Sequence, residues 1–396
     1  MKNSFYSSDT KIKLALTGLL LKGTVSNLFS VLSLEAAVPV VSTISIALFV
    51  LGLVDLLRKA SKFVILSTLV TALLWIQTIL FFPQNLKYMR EEWLQTFIYC
   101  LPFMWLGYDF IKQEVFLDYL LPIARVKLIL ALLVQIIILV NPAADIWGND
   151  YMNAANEMMV GLIAVYYLYI RDRKISDLVL SMVGSVLILT VGSRGGLVAI
   201  VFFWTVWWVM NKRSVANNTF LVLLLFLFVV FSGPLMNAIF SLAESFGYSS
   251  HIAEKVEGGG LFNDEARTDL FMFFVNYIKE SPFGYGVMGD RALTDGVYSR
   301  PIYPHNLYLE ILTNFGYVVG GIVSFVFTFY LVKFIMRGEN KQYSMSVLTL
   351  SSIAFVHLMF SGSYWSEQMF FMLVGILLAV KFVNNKGCQR HYISER

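Results

Sequence analysis

The chain is a succession of apolar stretches, most near the length needed to cross a bilayer, and this pattern constrains the fold more than any single residue. A hydrocarbon core about 30 Å thick takes about 20 helical residues. Windows of that kind fall near 14–34, 36–57, 63–82, 93–111, 123–141, 155–170, 177–193, 195–210, 219–235, 307–332, 345–361 and 365–383. Within lipid, backbone donors and acceptors must be satisfied inside the segment or in a closed barrel. Twelve such windows therefore predict an all-α polytopic membrane protein forming a single integral membrane domain over 1–396. Composition agrees: 58% of residues are hydrophobic and 14% charged, against about 25% charged in soluble domains. A water-soluble core is excluded.

Basic residues set the expected orientation. With the N-terminus inside, the inner segments hold 21 of the 30 Lys and Arg, Arg125 and Lys127 among them, while the short outer loops hold only Lys87 and Arg90. Both termini are expected on the cytoplasmic side. The net charge of +4 follows from this bias and calls for no nucleic-acid partner. The first apolar stretch reads as a retained helix rather than a cleaved signal peptide. Cys100 and Cys388 fall in a span and in the tail, so no disulfide is expected.

One long loop, 236–304, lies between spans nine and ten on the outer side. Long loops do not follow the charge rule. Within it, residues 266–281 place Arg267, Leu270, Phe271, Phe274 and Ile278 at helical spacing, on one face of a helix along the membrane surface or over a cavity. Pro282-Phe283-Gly284-Tyr285-Gly286 then ends it.

Three places could carry chemistry. The first is Arg194, flanked by Ser193, Gly195 and Gly196 between two apolar runs. An arginine at that depth costs roughly 2.5–3.5 kcal/mol on insertion scales, and its fixed fork of donors suits a phosphate; the plain alternative is a side chain that snorkels to the headgroups. The second is Arg267 at the loop helix, which could equally pair with Asp264 or Glu265. The third is His305-Asn306-Leu307-Tyr308-Leu309-Glu310, where the loop meets the membrane. A neutral imidazole can take a proton from a hydroxyl near neutral pH, and Glu310 could hold that imidazole or bond to a neighbouring helix. Arg291 and Arg300 could add positive potential, although for Arg291 a solvated loop charge is the simpler reading. Tyr285, Tyr298 and Tyr303 could stack on sugar faces. Lys22 and His357 interrupt spans one and eleven. No Cys/His metal cluster, nucleotide loop or hydrolase motif occurs, and Asp264-Glu265 is a weak metal pair.

Taken in order, these residues resemble the O-antigen ligase/polymerase superfamily of bacterial surface-polysaccharide enzymes, the Wzy and WaaL type. The resemblance rests on Ser193-Arg194-Gly195-Gly196, on Ala266-Arg267-Thr268-Asp269-Leu270-Phe271 running into Pro282–Gly286, and on His305–Glu310 with Gly316 and Gly320-Gly321 behind. It covers roughly 175–325, and this chain has Phe271 where the family usually has Trp. It implies an inverting, metal-independent and cofactor-free glycosyltransferase with a GT-C-like helical fold in the bacterial cytoplasmic membrane, its site facing outward. Donor and acceptor would be oligosaccharides on undecaprenyl pyrophosphate. Flippase and chain-length regulator would be protein partners, and membrane lipids the surroundings. On this reading Arg194 and Arg267 neutralise the diphosphate, His305 is the base supported by Glu310, and Arg291, Arg300, Tyr285, Tyr303 and Asn306 bind substrate. Polymerisation of repeat units is the first expectation, and ligation of the chain to lipid A-core the second. A flippase or transporter would be expected to show two similar six-span halves, which the sequence lacks. A non-catalytic scaffold leaves Arg194 unexplained.

Overall fold

The structure, a computed structural model, describes residues 2–59, 61–112, 116–141, 151–190, 194–211, 265–298, 301–336 and 341–379. It is an all-α membrane protein; among the described residues the only β pairing is an isolated bridge between Asp295 and Tyr298. Each expected span coincides with a helix except 219–235, which lies outside the described residues. Among the described residues, six helices are both long and apolar enough to cross: Lys13–Val31, Glu35–Val54, Lys62–Phe81, Leu117–Ile138, Leu307–Met336 and Tyr343–Phe360. Apolar helices at Ile175–Ile188, Val198–Met210 and Gln368–Ala379 are shorter.

The chain divides into two units, Met1–Asp55 with Leu117–Asp264 and Leu56–Phe116 with Glu265–Arg396. The first contains α1 (Lys2–Val31), most of α2 (Val38–Lys59), α6 (Phe116–Val140), α7 (Tyr151–Asp172), α8 (Ile175–Thr190) and α9 (Arg194–Met210). α7 packs on both α8 and α9. Apolar side chains fill this unit, yet it also buries charge. Lys127 is 4% exposed and lies inside α6, not in an inner loop where the orientation argument counts it. Its Nζ donates to Leu20 O at 3.0 Å, to Thr24 Oγ1 at 2.9 Å and to the Glu157 carboxylate. Thr24 donates to the same carboxylate at 2.5 Å. Arg125, in the same helix, pairs with Asp177 at 2.7 Å. Pairing of this kind is how a bundle interior accommodates charge. These two basic residues therefore answer to partners in neighbouring helices rather than to membrane orientation.

The second unit contains α3 (Ser61–Phe81) and α4 (Leu86–Leu94), which continues through a π turn at Gln95–Cys100 into α5 (Leu101–Lys112). It also contains α10 (Glu265–Glu280), α11 (Gly289–Thr294), α12 (Leu307–Phe315), α13 (Gly321–Met336), α14 (Lys341–Leu350), α15 (Val356–Phe360) and α16 (Gln368–Ala379). Two side chains of the π turn between α4 and α5 bond to the segment before α16: Thr96 Oγ1 donates to Trp365 O at 3.0 Å and Gln95 Nε2 to Ser366 O at 3.1 Å. The predicted loop helix is present as α10, and its buried stripe is Leu270, Phe274 and Ile278. Phe271, placed on the same stripe by spacing, is 46% exposed. The helix packs on α12, with Leu270, Phe274 and Ile278 buried and Phe271 on the exposed flank.

Candidate functional site

The second unit brings several of the candidate residues together. α12 starts where Asn306 takes an extended backbone and its Oδ1 accepts from Tyr308 N at 3.0 Å and Leu309 N at 3.2 Å. This is an N-cap, which satisfies donors that a helix start leaves open. The cap is reached through His305, whose φ is +52°. A non-glycine residue in the left-handed region is uncommon, and such strain persists where surroundings over-determine it. The Tyr303 ring lies 4.4 Å from the imidazole, centroid to centroid.

One turn into α12, Glu310 is 1% exposed. It accepts from the Ser363 hydroxyl and, at 3.1 Å, from Tyr364 N. Of the two roles open to it in the sequence, bonding to a neighbouring segment is the one its geometry displays. Arg291 NH1 stands 3.6 Å from Glu310 Oε1 and 2.9 Å from Asp290 Oδ2, and Arg291 NH2 stands 3.9 Å from Glu92 Oε1. The guanidinium also lies 5.3 Å from the centre of the Tyr303 ring. Arg291 is thus no solvated loop charge: it is 7% exposed and embedded among three carboxylates. Burial works against its charge, but Asp290, Glu310 and Glu92 outweigh it and hold the guanidinium above its ordinary pKa. Burial pushes the Asp290 carboxyl up from its ordinary value, against the pull of Arg291. Asp290 Oδ1 is buried and has no hydrogen-bond partner among the described residues.

Glycines lock the loop onto this framework. Pro282 O accepts from Val318 N at 3.2 Å, Tyr285 N donates to Thr313 O at 2.9 Å, and Gly286 N donates to Asn314 O at 2.9 Å. Gly284 and Gly316 face each other with φ of +77° and +73°. A Cβ on Gly316 would lie 2.1 Å from Pro282 O, and one on Gly284 would lie 2.4 Å from Gly316 N. Only glycine fits both the conformation and the approach. Asn85 Nδ2 ties the same turn down by donating to Tyr285 O at 2.8 Å and Val287 O at 3.0 Å. Tyr285 itself is half-buried, its hydroxyl donating to Tyr277 O at 3.0 Å.

Arg194 is the first residue of α9, in the first unit, and Arg267 lies in the first turn of α10, in the second. Their side chains, and the whole of Arg300, lie outside the described residues, as does the loop from 236 to 264. Thus Tyr303, His305, Asn306, Glu310 and Arg291 come together, joined by residues that sequence reasoning did not single out: Asp290, Glu92, Ser363 and Tyr364. The Ser361–Ser363 break between two apolar runs and the charged Asp290-Arg291 pair were visible, but nothing in their spacing linked them to Glu310. His357, noted as an interruption of span eleven, has Nε2 3.6 Å from Glu367 Oε2. No group of three or more His, Cys, Asp or Glu among the described residues could hold a metal ion.

Residues 178–326 match the family model of O-antigen ligase. The chain carries a domain of the O-antigen ligase family. This match spans less than half of the chain; it supports a place in the O-antigen ligase/polymerase superfamily and a coarse role in O-antigen assembly. The O-antigen ligase domain contains Arg194, Arg267, Arg291, His305 and Glu310, whereas Glu92, Ser363 and Tyr364 lie beyond it. Groups that fix Glu310 therefore come from outside the matched stretch. No curated protein and no solved structure matches the chain.

Proposed function

We propose that this protein is a polymerase that joins oligosaccharide repeat units carried on undecaprenyl pyrophosphate, by inverting, metal-independent glycosyl transfer at the outer face of the bacterial cytoplasmic membrane. The observation that carries this reading is His305: a histidine in a left-handed backbone, beside Tyr303, at the capped start of a helix whose next turn is fixed by a buried Arg291–Glu310 contact. Strain of that kind is a reason to look for function.

In the proposed reaction the acceptor sugar hydroxyl attacks the anomeric carbon of the donor. The bond from that carbon to the diphosphate oxygen breaks with inversion, and the hydroxyl proton passes to the His305 imidazole. The diphosphate leaves with the bonding electrons. Arg194 and Arg267 are assigned to neutralise it, since guanidinium forks match phosphate oxygens and preorganised charge favours the developing anion. Tyr303 and Asn306 set the position of His305. Arg291, committed to carboxylates, is assigned to hold Glu310 and Tyr303, with any contact to substrate secondary.

Ligation to a lipid A-core acceptor is the second reading, favoured by the description of the matched family. Deletion of the gene, with surface polysaccharide resolved on a gel, separates the two. A product reduced to a single repeat unit is expected. Full-length lipid-linked chains that fail to be attached would overturn polymerisation in favour of ligation, and loss of export would point to a flippase. The proposed orientation, with both termini cytoplasmic and 236–304 outside, predicts that a cysteine placed at Ser249 is labelled by impermeant reagent in intact cells.

A further inference from the structure

Helix α10 presents more kinds of surface than a helix lying on a protein in water needs. Leu270, Phe274 and Ile278 form its buried stripe, 5%, 0% and 8% exposed, and the helix packs on α12. On one side of that stripe Phe273 and Tyr277 meet other aromatic rings, Tyr298 at 5.6 Å and Tyr285 at 5.9 Å. Opposite the stripe lie Asp269, Asn276 and Glu280, all exposed and polar. The remaining arc carries Phe271 and Met272, both exposed, half-exposed Val275 one turn after Phe271, and exposed Thr268 and Lys279, a long side chain that can keep its apolar stem along lipid and its ammonium in water. Phe283, just past the helix end, is 71% exposed.

That apolar flank is not isolated. The hydrogen bond from Val318 N to Pro282 O, 3.2 Å long, places Phe283 beside the π turn Gly316–Gly320, which follows the end of α12 inside the apolar stretch Leu307–Met336. There Val318, Val319 and Ile322 are 41%, 44% and 62% exposed. The span is long and apolar enough to cross the membrane, so its exposed face meets lipid tails. Exposed apolar surface thus runs from the span through Phe283 onto the flank of α10. Large exposed apolar side chains that continue a lipid-facing surface, with a charged sector turned the other way, are the arrangement of an interfacial helix.

We infer that α10 is seated in the membrane interface, with Phe271 and Phe283 immersed among the acyl chains of the outer leaflet. The occupant of this surface is bilayer lipid, and the helix fixes the height of the Tyr277–Tyr285 ring pair at the bilayer surface. The inference rests on the membrane-spanning architecture and not on the proposed polymerase activity. In a Cys388→Ser background the remaining native thiol, Cys100, is fully buried, so single nitroxides can be placed at Phe271→Cys, Phe283→Cys, Asn276→Cys and Glu280→Cys. The full chain is reconstituted in phosphatidylethanolamine/phosphatidylglycerol vesicles. Collision of each label with oxygen, which partitions into lipid, is compared with collision with a water-soluble nickel chelate. The expected oxygen-to-nickel ratio at 271 and 283 is several-fold higher than at 276 and 280. Equal ratios at all four positions would place the helix in water. Exclusion of both reagents at 271 and 283 would mean that protein covers the flank. Either result overturns the inference.

Discussion

The two units both bury charge, and they balance it differently. In the first, Lys127 meets Glu157 and Arg125 meets Asp177, one cation to one anion. The Lys127 ammonium also finds Leu20 O and Thr24 Oγ1, so all three of its donors are used. In the second, a single guanidinium, Arg291, faces Asp290, Glu310 and Glu92. Ser363 and Tyr364 supply further donors to Glu310, but one buried Asp290 oxygen has no hydrogen-bond partner among the described residues. A closed pair is a solution to packing. An open cluster retains excess negative charge that a proton or a neighbouring cation must answer. The contrast teaches that burial of charge has more than one solution: the cluster joined to His305 through Tyr303 is the one whose charges, among the described residues, are not paired one to one.

The sharpest way to break this contrast is to separate turnover from stability. His305→Ala is expected to lower turnover by about 10²–10⁴-fold, the usual contribution of a general base, with donor binding and melting temperature close to the parent. His305→Gln should fail similarly, since an amide hydrogen-bonds without accepting the proton. Near-normal turnover in His305→Gln, measured with lipid-linked substrate, would reduce the residue to positioning. Lys127→Met should do the opposite, lowering the melting temperature while the folded fraction keeps its turnover.

Next in size are the ion clusters themselves. Removing one partner of a buried pair costs about 3–5 kcal/mol. Arg291→Met and Lys127→Met are both expected near that range in thermal unfolding of detergent-solubilised protein. The double variant Lys127→Met/Glu157→Gln should recover most of the loss, because it leaves no unpaired charge. Arg291→Met/Glu310→Gln should not recover, because Asp290 remains. Equal recovery in the two units would erase the distinction.

A smaller effect tests the glycine lock within the second unit. Gly316→Ala combines positive φ with a Cβ 2.1 Å from Pro282 O, whereas Gly296, at φ +79°, has nothing within 4 Å of a Cβ. Gly296→Ala should cost about 1 kcal/mol, the conformational penalty alone, and Gly316→Ala clearly more, because the loop must shift to admit the methyl group. Comparable melting temperatures for the two would mean that the contact is relieved by movement.

The smallest expected effect is on pH dependence. Asp290 has its folded-state pKa raised by burial. The stability linked to that shift is present below the ordinary carboxylate range and is lost as pH rises through the raised value. Asp290→Asn should therefore flatten the decline in melting temperature above the ordinary carboxylate range. An unchanged profile would mean that Arg291 compensates the ionised form fully.

Much of the fold was legible. Apolar windows gave the helices, and Pro282 with Gly284 and Gly286 gave the end of the loop helix, because both signals are local. Arg291 was not legible. Adjacent to Asp290 in a charged loop, it reads as solvated, and only the return of the segment near Ser363 and the approach of Glu92 show that water is excluded. Phe271 was misplaced for a related reason: helical spacing fixes which residues share a stripe to within about one position, while the surface met by the stripe decides its edge.

By itself, then, the sequence determined the helical membrane architecture, the order of Arg194, Arg267 and His305, and the end of the loop helix at Pro282–Gly286. These follow from hydrophobic length, backbone hydrogen bonding in lipid and the conformations open to glycine, all properties of contiguous residues. The tertiary structure alone decided that Lys127 and Arg125 answer to Glu157 and Asp177, and that Glu310 is held by Ser363, Tyr364 and Arg291. It also placed Tyr303 against His305 and turned Phe271 to an exposed flank. The reason is physical: the state of a charged side chain depends on its desolvation and on which partners reach it, and those partners lie in distant parts of the chain.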